Sequence, residues 1–205
     1  RLLFLQEEIA PAALDMLIGA TRELRIGDPR ETSVHVVPVV DNEAKQSLDR
    51  YIARRRAEGR VIYEGETPEQ GSFVAPVIVR LDHARDLREE IFGPVLHVTT
   101  WRAREFDALL HDIEAGGYGL TFGLETRIDA RIRRVVAHAP AGNIYVGRNM
   151  IGAVVGGQPF GGFGLSGAGP KAGGPEYLRR FLREITTTVN TASFGGDAAL
   201  LSLED

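Results

Sequence analysis

The sequence predicts an α/β fold in which βαβ units build a mostly parallel sheet. Two observations carry this prediction. In the second half of the chain, short apolar runs typical of strands alternate with segments whose apolar residues recur at helical spacing. The links between these segments are short, as in parallel units whose right-handed crossovers place helices on both faces of a sheet.

Residues 1–58 are expected to contain one buried strand, two amphipathic helices and an extended connection between the helices. The strand is predicted from an apolar run, and the helices from apolar residues that recur every three or four positions. Asp41 suits the N-cap of the second helix, and Gly59 is placed to end it. The predicted ranges are 1–6 for the strand, 7–24 and 42–58 for the helices, and 34–40 for the connection.

Five further strands and two helices are predicted downstream. The strand segments are rich in β-branched and aromatic residues, and the helical segments again show apolar residues on one face. Pro140 follows the last of these helices and is expected to stop it. The strands are predicted over 61–63, 73–81, 95–101, 120–124 and 143–146, and the helices over about 106–113 and 128–136.

A glycine-rich segment follows, with ten glycines among the 23 residues of 152–174. We expect no regular element there, because each glycine loses much backbone entropy on ordering. Interspersed apolar residues nevertheless distinguish the segment from a flexible linker, so it is interpreted as an ordered loop that passes close to another group. A short helix is then predicted over 176–183 and an exposed strand over 185–189.

The composition excludes several kinds of site. Of the 205 residues, 43% are hydrophobic and 25% charged, which is ordinary for a globular protein, and no apolar run approaches the length of a membrane span. The absence of cysteine excludes disulfides, thiolate metal sites and a cysteine nucleophile within these residues. The five histidines lack ligand spacing, so no metal site is expected. With a net charge of −4 and no basic stripe, no nucleic-acid contact is expected.

Residues 89–95, Glu-Glu-Ile-Phe-Gly-Pro-Val, combine groups that could bind a nucleotide. In extended structure Glu89 and Glu90 would point to opposite sides, one to solvent and one to a cleft. A cleft carboxylate can accept two hydrogen bonds from a vicinal diol such as a ribose, and Phe92 could lie against a flat ring. The alternative, a charged loop with one core phenylalanine, stays open from the chemistry alone.

This motif resembles a signature of the aldehyde dehydrogenase superfamily. Other segments fall in the order of that family: 27–29, 71–76, 118–120 and 159–162. A further set is similar to the L-glutamate γ-semialdehyde dehydrogenase module of the bacterial bifunctional proline utilization A proteins: 142–146, 151–156, 158–162, 169–175, 188–191 and 195–201. The chain is therefore identified as the C-terminal part of such a module, with the fold of the family's catalytic domain.

The resemblance implies NAD-dependent oxidation of L-glutamate γ-semialdehyde to L-glutamate in proline catabolism. The nucleophilic cysteine, on which a thiohemiacetal forms, is expected upstream of Arg1, as is the general base. No catalytic residue is therefore expected in this chain. Within it, Glu90 resembles the carboxylate that holds the nicotinamide ribose, and Phe92 resembles the aromatic that packs beside the nicotinamide.

The resemblance also implies a substrate-binding region in the glycine-rich segment. Phe160 resembles one side of an aromatic box around the aliphatic stem of the aldehyde. Gly152 and Ala153 resemble an anchor whose backbone N–H groups hold the α-carboxylate, and consecutive N–H groups can form an anion-binding concavity. This anchor favours an amino-acid semialdehyde as the small-molecule partner over other aldehydes.

The predicted organisation has three parts: a catalytic domain over 1–184, truncated at its N-terminus, an oligomerisation strand over 185–192 and a tail over 193–205. A homo-oligomer formed through 185–192 and a cytoplasmic location are expected. FAD is expected only in an upstream proline dehydrogenase domain, if the parent protein is bifunctional. Two alternatives stay open, namely another semialdehyde dehydrogenase and a non-catalytic oligomerisation or interaction fragment.

Overall fold

A computed structural model of the chain describes residues 1–152, 156–167 and 169–190. Its largest sheet has four strands in the order β1–β4–β3–β2. Strand β4 pairs in parallel with both β1 and β3, while β2 pairs antiparallel with β3 at one edge. The strands are β1 (Leu2–Gln6), β2 (Val61–Glu64), β3 (Val77–Arg80) and β4 (Val95–Trp101). The predicted mostly parallel sheet is confirmed.

In the described residues four α-helices accompany the strands, and all four were predicted. They are α1 (Ala10–Arg22), α2 (Asn42–Ala57), α3 (Phe106–Ala115) and α4 (Asp129–His138). Short 3-10 turns occur at Ala84–Asp86, Ala103–Glu105 and Tyr177–Phe181. Within the described part of the chain, none of the helices combines the length and apolar character that crossing a membrane requires.

Two smaller sheets complete the described structure. Strand β6 (Thr121–Leu124) pairs in parallel with β7 (Asn143–Val146), and α4 connects them, so this βαβ unit is as predicted. Strands β5 (Tyr118–Gly119) and β8 (Phe163–Gly164) form a two-residue antiparallel pair. The alternating strands and helices from β4 to β7 were expected to build one sheet. They are divided instead, because β4 and β6 belong to different sheets. Alternation in sequence predicts the order of elements but does not determine which strands pair.

Three predictions need correction. The strand predicted over 73–81 is shortened to β3, since Pro76 immediately before it has no N–H to give to a ladder. The glycine-rich segment does contain one regular element, the short strand β8. The helix predicted over 176–183 is the 3-10 turn Tyr177–Phe181.

Residues 185–190 are exposed and form no strand within the chain. An oligomerisation strand would find its ladder partner in another subunit, so the strand predicted over 185–192 stays a prediction. The predicted tail over 193–205 lies outside the described residues.

The large sheet carries a hydrophobic cluster on each face. Alternate residues of β3 point to opposite faces, as the pleat of a strand requires. Ile78 packs with Leu5, Val98 and residues of α1, whereas Val77 and Val79 pack with Leu48, Tyr51 and Ile52 of α2. Helices α1 and α2 therefore cover opposite faces. This layering positions α2 beside the loop that precedes β4.

Candidate functional site

The loop before β4 and one side of α2 border an open cavity of about 570 Å³. This volume is in the range of small-molecule sites. Its lining comes from two segments: Glu89, Glu90, Ile91 and Phe92 of the loop, and Ala44, Ser47, Leu48, Arg50, Tyr51 and Arg54 of the helix. The structure thus brings together Glu90 and Phe92, the two residues predicted to contact the cofactor.

Close packing holds this loop against α2. A β-carbon on Gly93 would lie 2.5 Å from one δ-carbon of Leu48 and 2.9 Å from the other, so the absence of a side chain permits the approach. Ile91 is buried, and the carbonyl of Pro94 accepts a hydrogen bond from Val77 N–H at 2.9 Å. The loop is therefore anchored on both sides of Phe92.

The two glutamates of the motif border the same cavity. Glu89 and Glu90 are both exposed, and both line the space beside α2. Glu89 lies in a bend, whereas the expectation that the two side chains point to opposite sides assumes extended structure. The assignment of Glu90 as the carboxylate that faces the ligand stays a prediction.

Phe92 is 73% exposed, which removes the alternative of a core phenylalanine. The buried apolar residue of the motif is its neighbour Ile91. The guanidinium of Arg1 lies 4.9 Å from the centre of the Phe92 ring and also donates a hydrogen bond to the carbonyl of Gly93. One face of Phe92 is thus supported by a cation, and the side chain is available to pack against a flat ring.

A buried polar pair lies behind the cavity wall. His97, in β4, is 1% exposed, and its Nε2 lies 2.7 Å from the hydroxyl oxygen of Tyr51. Its Nδ1 lies 3.1 Å from the carbonyl oxygen of Arg1. Burial lowers the pKa of His97 to about 4, so the ring is neutral near pH 7.

We predict that the stability of the chain falls as the pH is lowered from about 7.5 to about 5, through His97. The pKa of His97 is about 4 in the folded chain against an ordinary value of 6.5, so the unfolded chain takes up the proton first. Between pH 7.5 and pH 5, this difference in the pKa of His97 lowers the free energy of unfolding by about 2 kcal/mol. Urea unfolding at both pH values measures it. In the His97→Asn control, which cannot titrate, the loss should be about 2 kcal/mol smaller; equal losses would contradict the assignment.

The segment around Phe160 is held by a side chain that the sequence reasoning missed. Asn143, buried at the start of β7, donates from Nδ2 to the Pro159 carbonyl at 3.0 Å and accepts at Oδ1 from Gly161 N–H at 3.2 Å. Phe160 itself exchanges two backbone hydrogen bonds of 3.0 Å with Ala172. The backbone on both sides of Phe160 is therefore fixed, and its side chain is half-buried.

The predicted carboxylate anchor is only partly described. Gly152 is half-buried, and among the described residues other than its chain neighbours no atom lies within 4 Å of the position that a β-carbon would take. Ala153 lies outside the described residues. The cavity that contains Glu90 and Phe92 includes neither Gly152 nor Phe160 among its lining residues. The roles of Gly152, Ala153 and Phe160 therefore stay predictions.

The three residues that sequence reasoning missed have one signal in common. His97 and Asn143 are polar residues in segments predicted as buried strands, and Tyr51 lies on the apolar face of a predicted helix. A buried polar side chain needs a partner. The pattern could therefore have identified these residues but not their partners.

Other charged residues form local ion pairs. Arg55 lies 2.9 Å from Glu58, and Arg56 lies 2.7 Å from Glu64. Within the described ranges, no group of three or more metal-ligating side chains is positioned to hold an ion.

Comparison with known proteins matches residues 1–187 to the model of the aldehyde dehydrogenase family. The chain is 50% identical over 190 residues to the bifunctional protein PutA of Klebsiella aerogenes, which covers 89% of this chain and 14% of that protein. It is 46% identical over 205 residues to PutA of Rhizobium meliloti, and this match covers 98% of this chain and 17% of that protein. It is 38% identical over 175 residues to a 1-pyrroline-5-carboxylate dehydrogenase of Geobacillus, and this match covers 84% of this chain and 34% of that protein.

Solved structures show the same similarity. A mutant of Bradyrhizobium japonicum proline utilization A matches with a TM-score of 0.86 and 55% identity, over 94% of this chain and 20% of that one. A 1-pyrroline-5-carboxylate dehydrogenase from Thermus with bound NAD matches with a TM-score of 0.80 and 34% identity. This match covers 89% of this chain and 35% of the Thermus chain. The chain thus spans between about a seventh and a third of the length of these relatives.

Proposed function

Because the chain belongs to the aldehyde dehydrogenase family, we propose that it is the C-terminal part of an NAD-dependent L-glutamate γ-semialdehyde dehydrogenase. The proposed reaction oxidises the semialdehyde to L-glutamate in proline catabolism. Relatives named PutA and 1-pyrroline-5-carboxylate dehydrogenase support this choice over other semialdehyde dehydrogenases. The observation that carries the proposal is the cavity at which Glu90 and Phe92 meet. A purely non-catalytic fragment would not need this arrangement.

The residues around this cavity fit the nicotinamide half of NAD. The carboxylate of Glu90 can accept hydrogen bonds from both hydroxyls of a ribose, and the exposed ring of Phe92 offers a flat apolar surface. When bound, NAD accepts the hydride that aldehyde oxidation releases. The Thermus relative with bound NAD supports the choice of cofactor.

The substrate is proposed to lie at the glycine-rich segment. Phe160 would pack against the aliphatic stem, and the bonds of Asn143 to both of its neighbours keep that part of the backbone in place. The N–H groups of Gly152 and Ala153 would bind the α-carboxylate, because consecutive backbone donors attract an anion. The nucleophilic cysteine is proposed to lie upstream of Arg1, in the longer protein that contains this chain, since the chain has none.

A homo-oligomer that pairs through residues 185–192 is also part of the proposal. Ile185 and Val189 are 69% and 60% exposed, so apolar surface is available there. The catalytic domain over 1–184, the tail over 193–205, a cytoplasmic location and an FAD-containing upstream domain complete the proposed organisation.

The activity is tested on the full-length protein. Supplied with L-glutamate γ-semialdehyde and NAD, it should form NADH and L-glutamate in equal amounts. Absence of NADH from correctly folded protein would contradict the proposed function. A clear preference for a different semialdehyde would favour the rival enzyme.

Glu90→Gln is predicted to lower NAD-dependent turnover more than Glu89→Gln. The amide cannot accept two charge-assisted hydrogen bonds, so the loss should be about 1.5–3 kcal/mol in kcat/KM. Steady-state kinetics with NAD as the varied substrate measure it in the full-length protein. Glu89→Gln, which changes the same group on the same cavity, is the matched control, and equal effects would remove the assignment of Glu90.

A further inference from the structure

We infer that His97, held by Tyr51, is a positioning residue that fixes Arg1 against Phe92 and thereby shapes the nicotinamide side of the cavity. This inference rests on the proposed function, since it assumes that Phe92 packs beside the nicotinamide. His97 touches neither cofactor nor substrate, because it is 1% exposed. It acts through the contacts that it makes.

The carbonyl of Arg1 determines the tautomer of His97. A carbonyl oxygen can only accept, so Nδ1 at 3.1 Å must carry the hydrogen. Because the neutral ring has one N–H, its Nε2 accepts a hydrogen bond from the Tyr51 hydroxyl at 2.7 Å. Tyr51 therefore holds the ring in the state that donates to Arg1. The two rings also contact edge to face, with centroids 5.7 Å apart.

The same carbonyl of Arg1 also accepts a hydrogen bond of 3.2 Å from the backbone N–H of His97. Arg1 is thus held twice by one residue of β4, at the beginning of β1. Its guanidinium lies over the ring of Phe92, which lines the cavity, and donates a hydrogen bond to the Gly93 carbonyl. A continuous set of contacts joins the buried histidine to the exposed aromatic.

Burial is the main reason that the His97 ring stays neutral, and a nearby cation adds to this effect. That cation is Arg55 of α2, whose guanidinium lies 5.1 Å from the centre of the Tyr51 ring. Since burial and Arg55 both disfavour a second proton on the ring, the accepting nitrogen stays free for Tyr51.

Two substitutions separate the two nitrogens of His97. In His97→Asn, the side-chain amide nitrogen can take the place of Nδ1 and still donate to the Arg1 carbonyl. In His97→Gln, the amide reaches toward the place of Nε2 and Tyr51, and the donor to Arg1 is lost. Both variants remove the imidazole and its aromatic contact, so each controls for the other.

The variants are compared in the full-length protein by kinetics normalised to the amount of reactive thiol. His97→Gln should raise the KM for NAD and lower kcat/KM for NAD by roughly fivefold, the effect of one lost hydrogen bond. His97→Asn should stay within about twofold of wild type. Tyr51→Phe should show a smaller rise in the KM for NAD. In this variant the His97 ring keeps Nδ1 as a donor to Arg1 but loses the hydrogen bond from the Tyr51 hydroxyl. Melting temperatures are measured in parallel.

A merely structural role would lower the melting temperatures and the active fraction of both His97 variants without changing the KM for NAD per active thiol. That result, or equal changes of KM in His97→Asn and His97→Gln, would overturn the inference. Failure of the proposed function is distinguishable, because wild-type protein would then form no NADH from the semialdehyde. In that case the inference falls with it.

Discussion

The 205-residue chain on its own is expected to form no NADH from L-glutamate γ-semialdehyde, whereas the full-length protein is expected to turn the substrate over. The reaction requires a thiolate to attack the aldehyde, and the chain contains no cysteine. No other side chain here is a competent substitute, and Glu90 and Phe92 at the cavity are proposed to bind the cofactor rather than to attack the aldehyde. The formation of NADH, followed by absorbance at equal molar concentrations, measures the difference.

A second polypeptide serves as the control for this result. The full-length protein with its upstream nucleophile replaced by alanine has the same missing group but retains every other part of the site. It should be as inactive as the isolated chain. If the isolated chain oxidises the semialdehyde in an NAD-dependent reaction, the assignment of the nucleophile to an upstream cysteine is wrong.

Removal of the α-carboxylate from the aldehyde is expected to lower kcat/KM by at least about thirtyfold, or about 2 kcal/mol of transition-state binding. A purely apolar box around Phe160 would accept aliphatic aldehydes of equal length equally well. Donors on Gly152 and Ala153 would not, because the wrong aldehyde leaves them unpaired. The measurement compares glutamate semialdehyde with an aldehyde of equal length that lacks the carboxylate, in the full-length protein. Equal rates would refute the anchor and, with it, the amino-acid semialdehyde as substrate.

Gly152→Pro tests the same anchor from the side of the protein. Proline removes one N–H donor and restricts φ, so the variant should lose a similar factor with glutamate semialdehyde while small uncharged aldehydes still react. Gly152→Ala is the matched control. It keeps the N–H group, and no atom of the described, non-neighbouring residues lies within 4 Å of the added β-carbon, so its activity should stay near that of wild type.

Local patterns were sufficient for most of the elements. The spacing of apolar residues predicted α1 to α4 because helical periodicity repeats within a few residues. Asp41 accepts a hydrogen bond from Ala44 N–H at 2.8 Å, as expected of an N-cap. Gly59, with a φ of 69°, follows the C-cap residue Glu58 of α2, as predicted from its position. The motif at 89–95 was recognisable for the same reason, since its residues are contiguous.

The sequence by itself determined the helices, most of the strands, the family resemblance and the candidate residues Glu90 and Phe92. Only the tertiary structure decided that β4 and β6 belong to separate sheets, that Glu89 shares a cavity with Glu90, and that His97 joins Tyr51 to Arg1. The physical reason is the range of the interactions. Periodicity and capping act between near neighbours in the chain, whereas strand pairing and buried hydrogen bonds join residues that only folding brings together.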